Sequence, residues 1–159
     1  MNITYQPIGV IHSPYNNIEN MPIQPVGARA VPGSVEVFDD YAQGLQDLQG
    51  FSHIYLLYHF HLAGEARLQV TPFLDSKPHG VFATRSPRRP NPIGLSIVRL
   101  VRIEQNTLLI ENVDILDGTP LLDIKPYVPE FDHYPVEHTG WLEQARGRAQ
   151  NKKSDNRFR

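Results

Sequence analysis

Residues 53–62 read HIYLLYHFHL and give the strongest strand signal in the chain. Because side chains alternate between the two faces of a strand, this run predicts one apolar face directed into a core. The apolar face consists of Ile54, Leu56, Tyr58, Phe60 and Leu62. The opposite face is mixed and consists of His53, Tyr55, Leu57, His59 and His61. A polar and aromatic face on a core strand suits a ligand pocket or a subunit contact.

Other short β-like runs extend from this strand in both directions along the chain. They are Ile8–Ile11, Ser34–Phe38, Arg67–Thr71, Val81–Thr84, Leu95–Ile103, Leu108–Val113 and Leu121–Lys125. Gln105 and Asn106 lie between two of these runs and predict a hairpin turn. Short helices are predicted at Asp39–Leu48 and Trp141–Ala149. The chain has 14 prolines and 11 glycines, and with so many short strands this favours a mainly β barrel or sandwich with a few small helices. Strands that alternate regularly with long helices are absent, which argues against a doubly wound sheet.

The composition indicates one globular domain. A chain of 159 residues, of which 40% are hydrophobic and 20% charged, is typical of this class. The absence of cysteine excludes a disulfide framework, a zinc–thiolate site and a thiol nucleophile. The first residues lack a signal-peptide pattern, and no apolar run approaches the ~20 residues of a membrane span. We therefore expect a cytoplasmic protein that does not bind membranes.

Charge divides the chain into a predicted domain at residues 1–145 and a basic tail at residues 146–159. The tail has a net charge of +5, whereas the rest of the chain has a net charge of −7. An acidic body argues against DNA as a partner, while a basic tail is suited to contact the phosphates of another polyanion. The alternative for the tail is a solvated terminus.

A second distinctive stretch reads FATRSPRRPNPIG and covers residues 82–94. Its three prolines have fixed φ angles and keep the residues before them extended, so the stretch is stiff. Arg85, Arg88 and Arg89 lie on this frame, and guanidinium groups bind carboxylates and phosphates in bidentate fashion. Pre-ordering lowers the entropy lost on binding. The stretch predicts an anion-recognition loop; a crossover that only closes a barrel is the structural alternative.

The remaining motifs give weaker or negative signals. His59 and His61 would lie about 7 Å apart on one strand face, but nothing marks a third ligand, so we predict no metal site. The stretch Asp117–Pro120 predicts a tight turn, or a loop that holds a ribose or a cation. The P-loop, the dinucleotide-binding glycine motif and G-x-S-x-G are absent, which excludes those nucleotide-binding and hydrolase classes.

Several segments together resemble the TrmO/TsaA-like family. In chain order they read IGVIHSPY (8–15), PIQP (22–25), LQGFSHIYLLYHFH (48–61), GVFATRSPRRPNPIGLS (80–96) and DGTPLLDIKPYVP (117–129). The resemblance implies a compact β-barrel, a homodimer and an enzyme of tRNA modification. The implied reaction is methyl transfer from S-adenosyl-L-methionine to N6 of N6-threonylcarbamoyladenosine at position 37 of tRNA.

The resemblance also implies which residues bind the cofactor. They are Gln24, Pro25, Val26, His61, Leu62, Arg85, Leu95, Asp117, Gly118, Thr119 and Pro120. The chain departs from the family at Val26, because members often read Q-P-G there, and its short basic tail stands where some members carry a further domain. The carboxylate of the cofactor needs a cation, which assigns Arg85 to the cofactor. Arg88 and Arg89 are then assigned to tRNA phosphates.

An exocyclic nitrogen must lose its proton when it accepts a methyl group, so the reaction needs a base. The candidate bases are Asp114, Asp117 and His61. The candidates for stacking on a splayed-out base are Tyr127, Phe131 and Tyr134. Three alternative functions remain: an adenosylmethionine-dependent enzyme with another acceptor, a non-enzymatic module that binds adenosylmethionine or tRNA, and a metal-dependent barrel enzyme built on His59 and His61.

Overall fold

Six antiparallel strands close into a barrel in the computed structural model, which describes residues 1–145, 148–155 and 157–158. In the described part of the chain the strands are β1 Gly9–His12, β2 Pro32–Val37, β3 His53–His59, β4 Gln69–Val70, β5 His79–Gly80, β6 Ile93–Glu104, β7 Thr107–Glu111 and β8 Thr119–Pro126. The barrel order is β1-β2-β7-β6-β3-β8, and β4 and β5 form a separate two-stranded sheet. The mainly β barrel predicted from the sequence is confirmed.

The helices of the described residues are all short. One is an α-helix, α1, at Pro129–Asp132. The others are 3-10 helices at Pro25–Ala28, Asp39–Leu45, Leu48–Gly50, Val81–Ala83, Gly140–Ala145 and Arg148–Gln150. Within the same residues, every helix is too short to cross a lipid bilayer.

The strand β3 lies between β6 and β8, as expected for a strand with an apolar face. Ile54 and Leu56 are fully buried in the barrel interior, and Tyr58 is buried beside them. The prediction that this face continues to Leu62 is wrong. The strand ends at His59, which pairs with Ile93, the first residue of β6. The N–H of Phe60 still donates to the carbonyl of Pro92 at 2.8 Å, but Pro92 has no N–H to continue the ladder. The chain turns after Phe60, where the N–H of Ala63 donates to the Phe60 carbonyl, and Leu62 is exposed.

Two other predicted elements differ in the structure. Val81–Thr84 is not a strand but a 3-10 turn, because both the backbone N–H and the hydroxyl of Thr84 donate to the carbonyl of Val81. The predicted helix at Asp39–Leu48 is interrupted at Asp47, whose φ of 67° is incompatible with a right-handed helix. It forms two 3-10 segments instead.

Two more predicted elements, the hairpin after β6 and the helix near the C-terminus, can be compared with the structure. The hairpin at Gln105 and Asn106 is confirmed, since it joins the paired residues Glu104 and Thr107. The predicted helix at Trp141–Ala149 is represented by the 3-10 segments on either side of residues 146 and 147, which lie outside the described residues.

The strands β3 and β6 pack closely at the start of β6. Gly94 and Tyr58 face each other in the strand register. A Cβ atom built on Gly94 would lie 2.1 Å from the Tyr58 ring, far inside van der Waals contact. The Tyr58 ring therefore occupies the space that a side chain at position 94 would need, and glycine is required there by close approach.

We expect Gly94→Ala to lower the free energy of unfolding by about 2 kcal/mol, because the buried Tyr58 ring must move to admit the new methyl group. Gly50→Ala is the matched control, since a Cβ atom at Gly50 meets no atom within 4 Å. Urea denaturation of both variants measures the difference. Equal stability of the two variants would contradict the packing described for Gly94.

Candidate functional site

One cavity, with a volume of about 320 Å³, opens where the end of β3 meets the start of β6. Its walls come from residues distant in sequence: the segment 18–24, the turn 60–63 after β3, residues 93–95 of β6 and the segment 114–116 before β8. The stretch between the 3-10 turn and β6, residues 84–92, supplies a further wall and is called the arginine loop below. One end of the antiparallel β3–β6 pair thus forms part of the site, together with segments distant in sequence.

The arginine loop is held by hydrogen bonds of its own. The buried hydroxyl of Thr84 accepts the N–H of Ser86 at 3.2 Å, and the Ser86 hydroxyl accepts the N–H of Arg88 at 3.2 Å. The Arg89 guanidinium donates to the carbonyls of Thr84 at 3.0 Å and Ser86 at 3.2 Å. The loop is thus stiffened by its own side chains as well as by its prolines.

The three loop arginines have different positions. Arg85 is exposed at the cavity and donates to the side-chain oxygen of Gln24 at 2.7 Å. Arg89 also lines the cavity, but two of its hydrogen bonds are made to its own loop. Arg88 is not among the described residues that line the cavity, and its carbonyl accepts the N–H of Arg67 at 3.0 Å. Arg85 is therefore the loop cation best placed to meet an anion in the cavity.

Asp114 is partly buried and places its carboxyl group in the cavity wall. Its Oδ1 accepts the Ser96 hydroxyl at 2.7 Å, and Ser96 is 3.0 Å from the Tyr58 hydroxyl. Burial raises the pKa of Asp114 to about 6, although the Ser96 hydrogen bond and the Arg85 charge act in the opposite direction. Burial also raises the pKa of Tyr58 well above its usual range, and the Asp114 charge adds to this effect. The cavity thus holds a carboxyl group that titrates close to neutral pH.

His61 lies in the turn after β3 and contributes to the same cavity. Burial and the neighbouring His59 lower its pKa below the ordinary value of 6.5. The imidazole is therefore predominantly neutral at pH 7 and adds no positive charge to the cavity wall.

The turn Asp117–Pro120 contributes less to the cavity than predicted. Thr119 lines it and donates to the carbonyl of Leu116 at 2.7 Å. Asp117 instead accepts the N–H of Ser13 at 3.1 Å and lies 3.3 Å from Nδ1 of His12. Gly118 has a φ of 74°, as a tight turn requires. The turn's main role is to join the chain before β8 to the end of β1.

The structure brings most of the predicted site residues to the cavity. Those on its walls are Gln24, His61, Leu62, Arg85, Leu95, Thr119, Arg89 and the candidate base Asp114. Those not among its described lining residues are Pro25, Val26, Asp117, Gly118, Pro120 and Arg88. Pro25 and Val26 begin a 3-10 helix that turns away after Gln24. Leu62 and Leu95 are exposed and form an apolar part of the cavity opening.

Sequence reasoning missed the contribution of the C-terminal residues. Ser154 and Phe158 line the cavity, although both belong to the basic tail. The Ser154 backbone bonds to Asn20 and Met21, and Phe158 is buried against Val70 and Val81. A lone phenylalanine in a basic tail was the available signal for this packing. Arg146 and Arg159, which also belong to the tail, lie outside the described residues.

Two further candidate groups are the stacking aromatics, which are not among the described residues that line the cavity, and the histidine pair of the metal hypothesis, of which His61 lines it. Tyr127 packs edge to face on Tyr55 with ring centroids 5.6 Å apart, while Phe131 and Tyr134 are exposed. The described residues contain no group of three histidine or acidic side chains arranged to hold a metal ion. His59 and His61 thus lack a third ligand within the part of the chain that the structure covers.

Together, the closed barrel and the cavity beside the start of β6 define a small β-barrel protein with a site for a ligand. The family model of the tRNA-methyltransferase O N-terminal domain matches residues 10–133. The chain belongs to this family, which is the TrmO/TsaA-like family that the sequence segments resemble.

Relatives extend this comparison. Over 98% of its length, the chain is 53% identical to a Pyrococcus abyssi protein named "Probable S-adenosyl-L-methionine-binding protein", of which it covers 85%. It is 34% identical to the human protein named tRNA (adenine(37)-N6)-methyltransferase, over 82% of this chain and 31% of the human protein. The crystal structure of TrmO from Pseudomonas aeruginosa superposes with a TM-score of 0.75 and 38% identity, over 89% of this chain and 63% of that one. The chain therefore spans less than two thirds of the latter two relatives.

The raised pKa of Asp114 predicts a stability difference that depends on pH. The ordinary pKa of 3.8 rises to about 6 in the folded state, so the native state binds the proton more tightly than the unfolded state. The contribution to stability is therefore greatest below pH 4 and is lost as the pH rises through 6. We expect Asp114→Asn to stabilise the protein at pH 8 by up to ~3 kcal/mol relative to its effect at pH 4.

Urea denaturation of the wild type and of Asp114→Asn between pH 4 and pH 8 measures this difference. Glu65→Gln is the control, because it removes one charge from an exposed position. An Asp114→Asn effect that does not vary with pH would show that the carboxyl group is not buried as described.

Proposed function

We propose that this protein is a methyltransferase that transfers a methyl group from S-adenosyl-L-methionine to N6 of N6-threonylcarbamoyladenosine at position 37 of tRNA. The observation that carries the proposal is a ligand-sized cavity with a cation at its rim and a carboxyl group in its wall, in a chain of the tRNA-methyltransferase O family. The names of the Pyrococcus and human relatives support the cofactor and the tRNA acceptor respectively.

The residues present fit S-adenosyl-L-methionine. At about 320 Å³, the cavity falls at the lower end of the range for small-molecule sites, roughly 300–1,000 Å³. Arg85 and Gln24 would hold the carboxylate of the amino-acid part, since a guanidinium and an amide both donate to such a group. Apolar walls that include Phe60 and Ile93 would cover the uncharged surface of the nucleoside.

The charge of the site suits a cationic methyl donor. When bound, the cofactor supplies an electrophilic methyl group attached to a positively charged sulfur. Neutral His61 adds no repulsion on that side, while the Asp114 carboxylate contributes a negative charge at pH 7. Arg85 donates to Gln24 at the cavity, and its charge favours the ionised form of Asp114.

The tRNA would meet the outer side of the arginine loop. Arg88 follows Arg85 by three residues, is partly exposed and is not among the described residues that line the cavity, so we assign it to a phosphate. Lys152 and Lys153 are exposed in the C-terminal segment whose neighbour Ser154 lines the cavity, and they would extend the basic surface. Arg89 takes a smaller part, because its guanidinium is engaged by carbonyls of the loop.

We also propose that the enzyme is a cytoplasmic homodimer. Ile93, Leu95 and Val101 along β6 are between 38% and 49% exposed, and an apolar strand surface of this kind suits contact with a second copy. The acidic body of the chain argues against DNA as an additional partner.

The assigned roles of Arg85 and Arg88 are separable. Arg85→Ala is expected to raise the Kd for S-adenosyl-L-methionine at least tenfold, because it removes the cation that meets the carboxylate, with less than a threefold change for tRNA. Arg88→Ala is expected to weaken tRNA binding and leave cofactor binding within threefold. Calorimetric titration and filter binding measure the two affinities.

Arg102→Ala is the matched control for charge, since Arg102 is an exposed arginine that pairs with Glu104 at the far end of β6. It should change neither affinity. Equal losses of both affinities in Arg85→Ala and Arg88→Ala would overturn the division of roles.

The acceptor is tested with two tRNA preparations, one carrying N6-threonylcarbamoyladenosine at position 37 and one carrying unmodified adenosine there. We expect methyl transfer to the first only, detected by mass spectrometry of the digested nucleosides. Transfer to the second or to another base would favour a different acceptor. Cofactor binding without turnover on either tRNA would favour the non-enzymatic module.

A further inference from the structure

A chain of three polar side chains runs from the barrel interior into the cavity. It joins Tyr58 of β3, Ser96 of β6 and Asp114 of the segment before β8. We infer that Asp114 is the base that takes the proton from the acceptor nitrogen, and that Ser96 and Tyr58 are positioning residues that fix its carboxylate. This inference rests on the proposed function. It selects the base from the three candidates that the sequence left open, Asp114, Asp117 and His61.

The direction of the hydrogen bonds follows from counting protons. The Ser96 hydroxyl has one proton, which it donates to Oδ1 of ionised Asp114 at 2.7 Å. At its contact with Tyr58, 3.0 Å away, Ser96 must then accept, so the tyrosine hydroxyl is the donor. Ser96 is 2% exposed and Tyr58 is 5% exposed, so water does not compete for these bonds. The carboxylate is thus held in one orientation by groups that are themselves fixed by packing.

The other two candidate bases are less suitable by geometry. The Asp117 carboxylate accepts the N–H of Ser13 and lies next to His12, outside the lining of the cavity. His61 does line the cavity, but it lies in the turn after β3 and is part of no comparable buried hydrogen-bond chain in the described residues. Asp114 alone among the three combines a place in the cavity wall with a buried support.

The proton transfer balances the methyl transfer. The N–H bond of the substituted adenine nitrogen breaks, and its electron pair becomes available to the bond that forms between nitrogen and the methyl carbon. The electrons of the broken carbon–sulfur bond stay on sulfur, and the Asp114 carboxylate takes the proton. The negative carboxylate becomes a neutral acid at the same time as the positive sulfonium becomes a neutral thioether, so no isolated charge is left in the cavity.

Burial and three polar groups, one of them its own backbone N–H, determine the pKa of Asp114. Arg85 and the Ser96 hydroxyl favour its ionised form, whereas burial favours its protonated form and gives a pKa of about 6. The phenols of Tyr58 and Tyr15 have raised pKa values and stay neutral at working pH. The carboxylate is the active form, so the rate of methyl transfer should rise with pH through the Asp114 pKa and then level off.

The test compares three properties of each variant: the single-turnover rate with saturating tRNA, the Kd for S-adenosyl-L-methionine and the titration of the Asp114 carboxyl carbon by NMR. In Asp114→Asn, we expect the rate to fall at least ~100-fold, a much larger change than the rise in Kd that follows from the lost negative charge. In wild-type protein without tRNA or cofactor, the carboxyl resonance should titrate near pH 6.

Ser96→Ala tests the positioning role. Because the Ser96 hydrogen bond lowers the pKa of Asp114, its loss should move both the NMR midpoint and the rising limb of the rate profile to higher pH. Glu65→Gln, an exposed change of the same type as Asp114→Asn, should leave all three properties unchanged.

Distinct outcomes would overturn the inference. A large rise in the Kd of Asp114→Asn with an unchanged single-turnover rate would make the carboxylate a binding group for the cationic part of the cofactor. If His61→Gln lost the single-turnover rate and Asp114→Asn kept the wild-type rate, His61 would be the base. Failure of the wild type to bind S-adenosyl-L-methionine or to methylate tRNA would instead contradict the proposed function itself.

Discussion

The contact between Tyr58 and Gly94 is the packing constraint on which both the barrel and the site depend. The ring lies where a Cβ atom of residue 94 would be, so β3 and β6 approach closely at the end of their shared ladder. The same tyrosine places its hydroxyl on Ser96, which in turn holds Asp114. A change in the β3–β6 packing would therefore alter the position of a carboxyl group in the cavity wall.

The opposite side of the cavity depends on a different physical device. Pro87, Pro90 and Pro92 restrict the backbone of the arginine loop, and the side chains of Thr84, Ser86 and Arg89 tie its turns together. The loop leads directly into β6, so its orientation is set by the barrel. Arg85 is thereby held at the rim next to Gln24. Because the backbone that carries the Arg85 side chain is stiff, less entropy is lost when an anion binds.

Burial of Asp114 lowers the stability of the protein at neutral pH but gives the carboxyl group a pKa that suits a base. Removing a carboxyl group from water costs stability at neutral pH, and the Ser96 hydrogen bond and the Arg85 charge only partly offset this cost. The same burial places the pKa of the group close to neutral pH, where a base is most effective. Proteins commonly retain such unfavourable groups where their chemistry is used.

The sequence alone determined most of the barrel strands, the hairpin at Gln105 and Asn106 and the stiff arginine loop, because alternation of side chains and the fixed φ of proline are local properties. It did not distinguish the 3-10 turn at Val81–Ala83 from a strand. Through the family resemblance it also identified some of the residues on the cavity walls, among them Gln24, His61 and Arg85. Only the tertiary structure decided where β3 ends, since that depends on the start of its partner β6. Likewise, only the fold distinguishes the roles of Asp114 and Asp117, which are three residues apart. Asp114 lines the cavity and accepts the Ser96 hydroxyl, whereas Asp117 accepts the N–H of Ser13. The sequence could not show this difference, because both partners are distant in the chain.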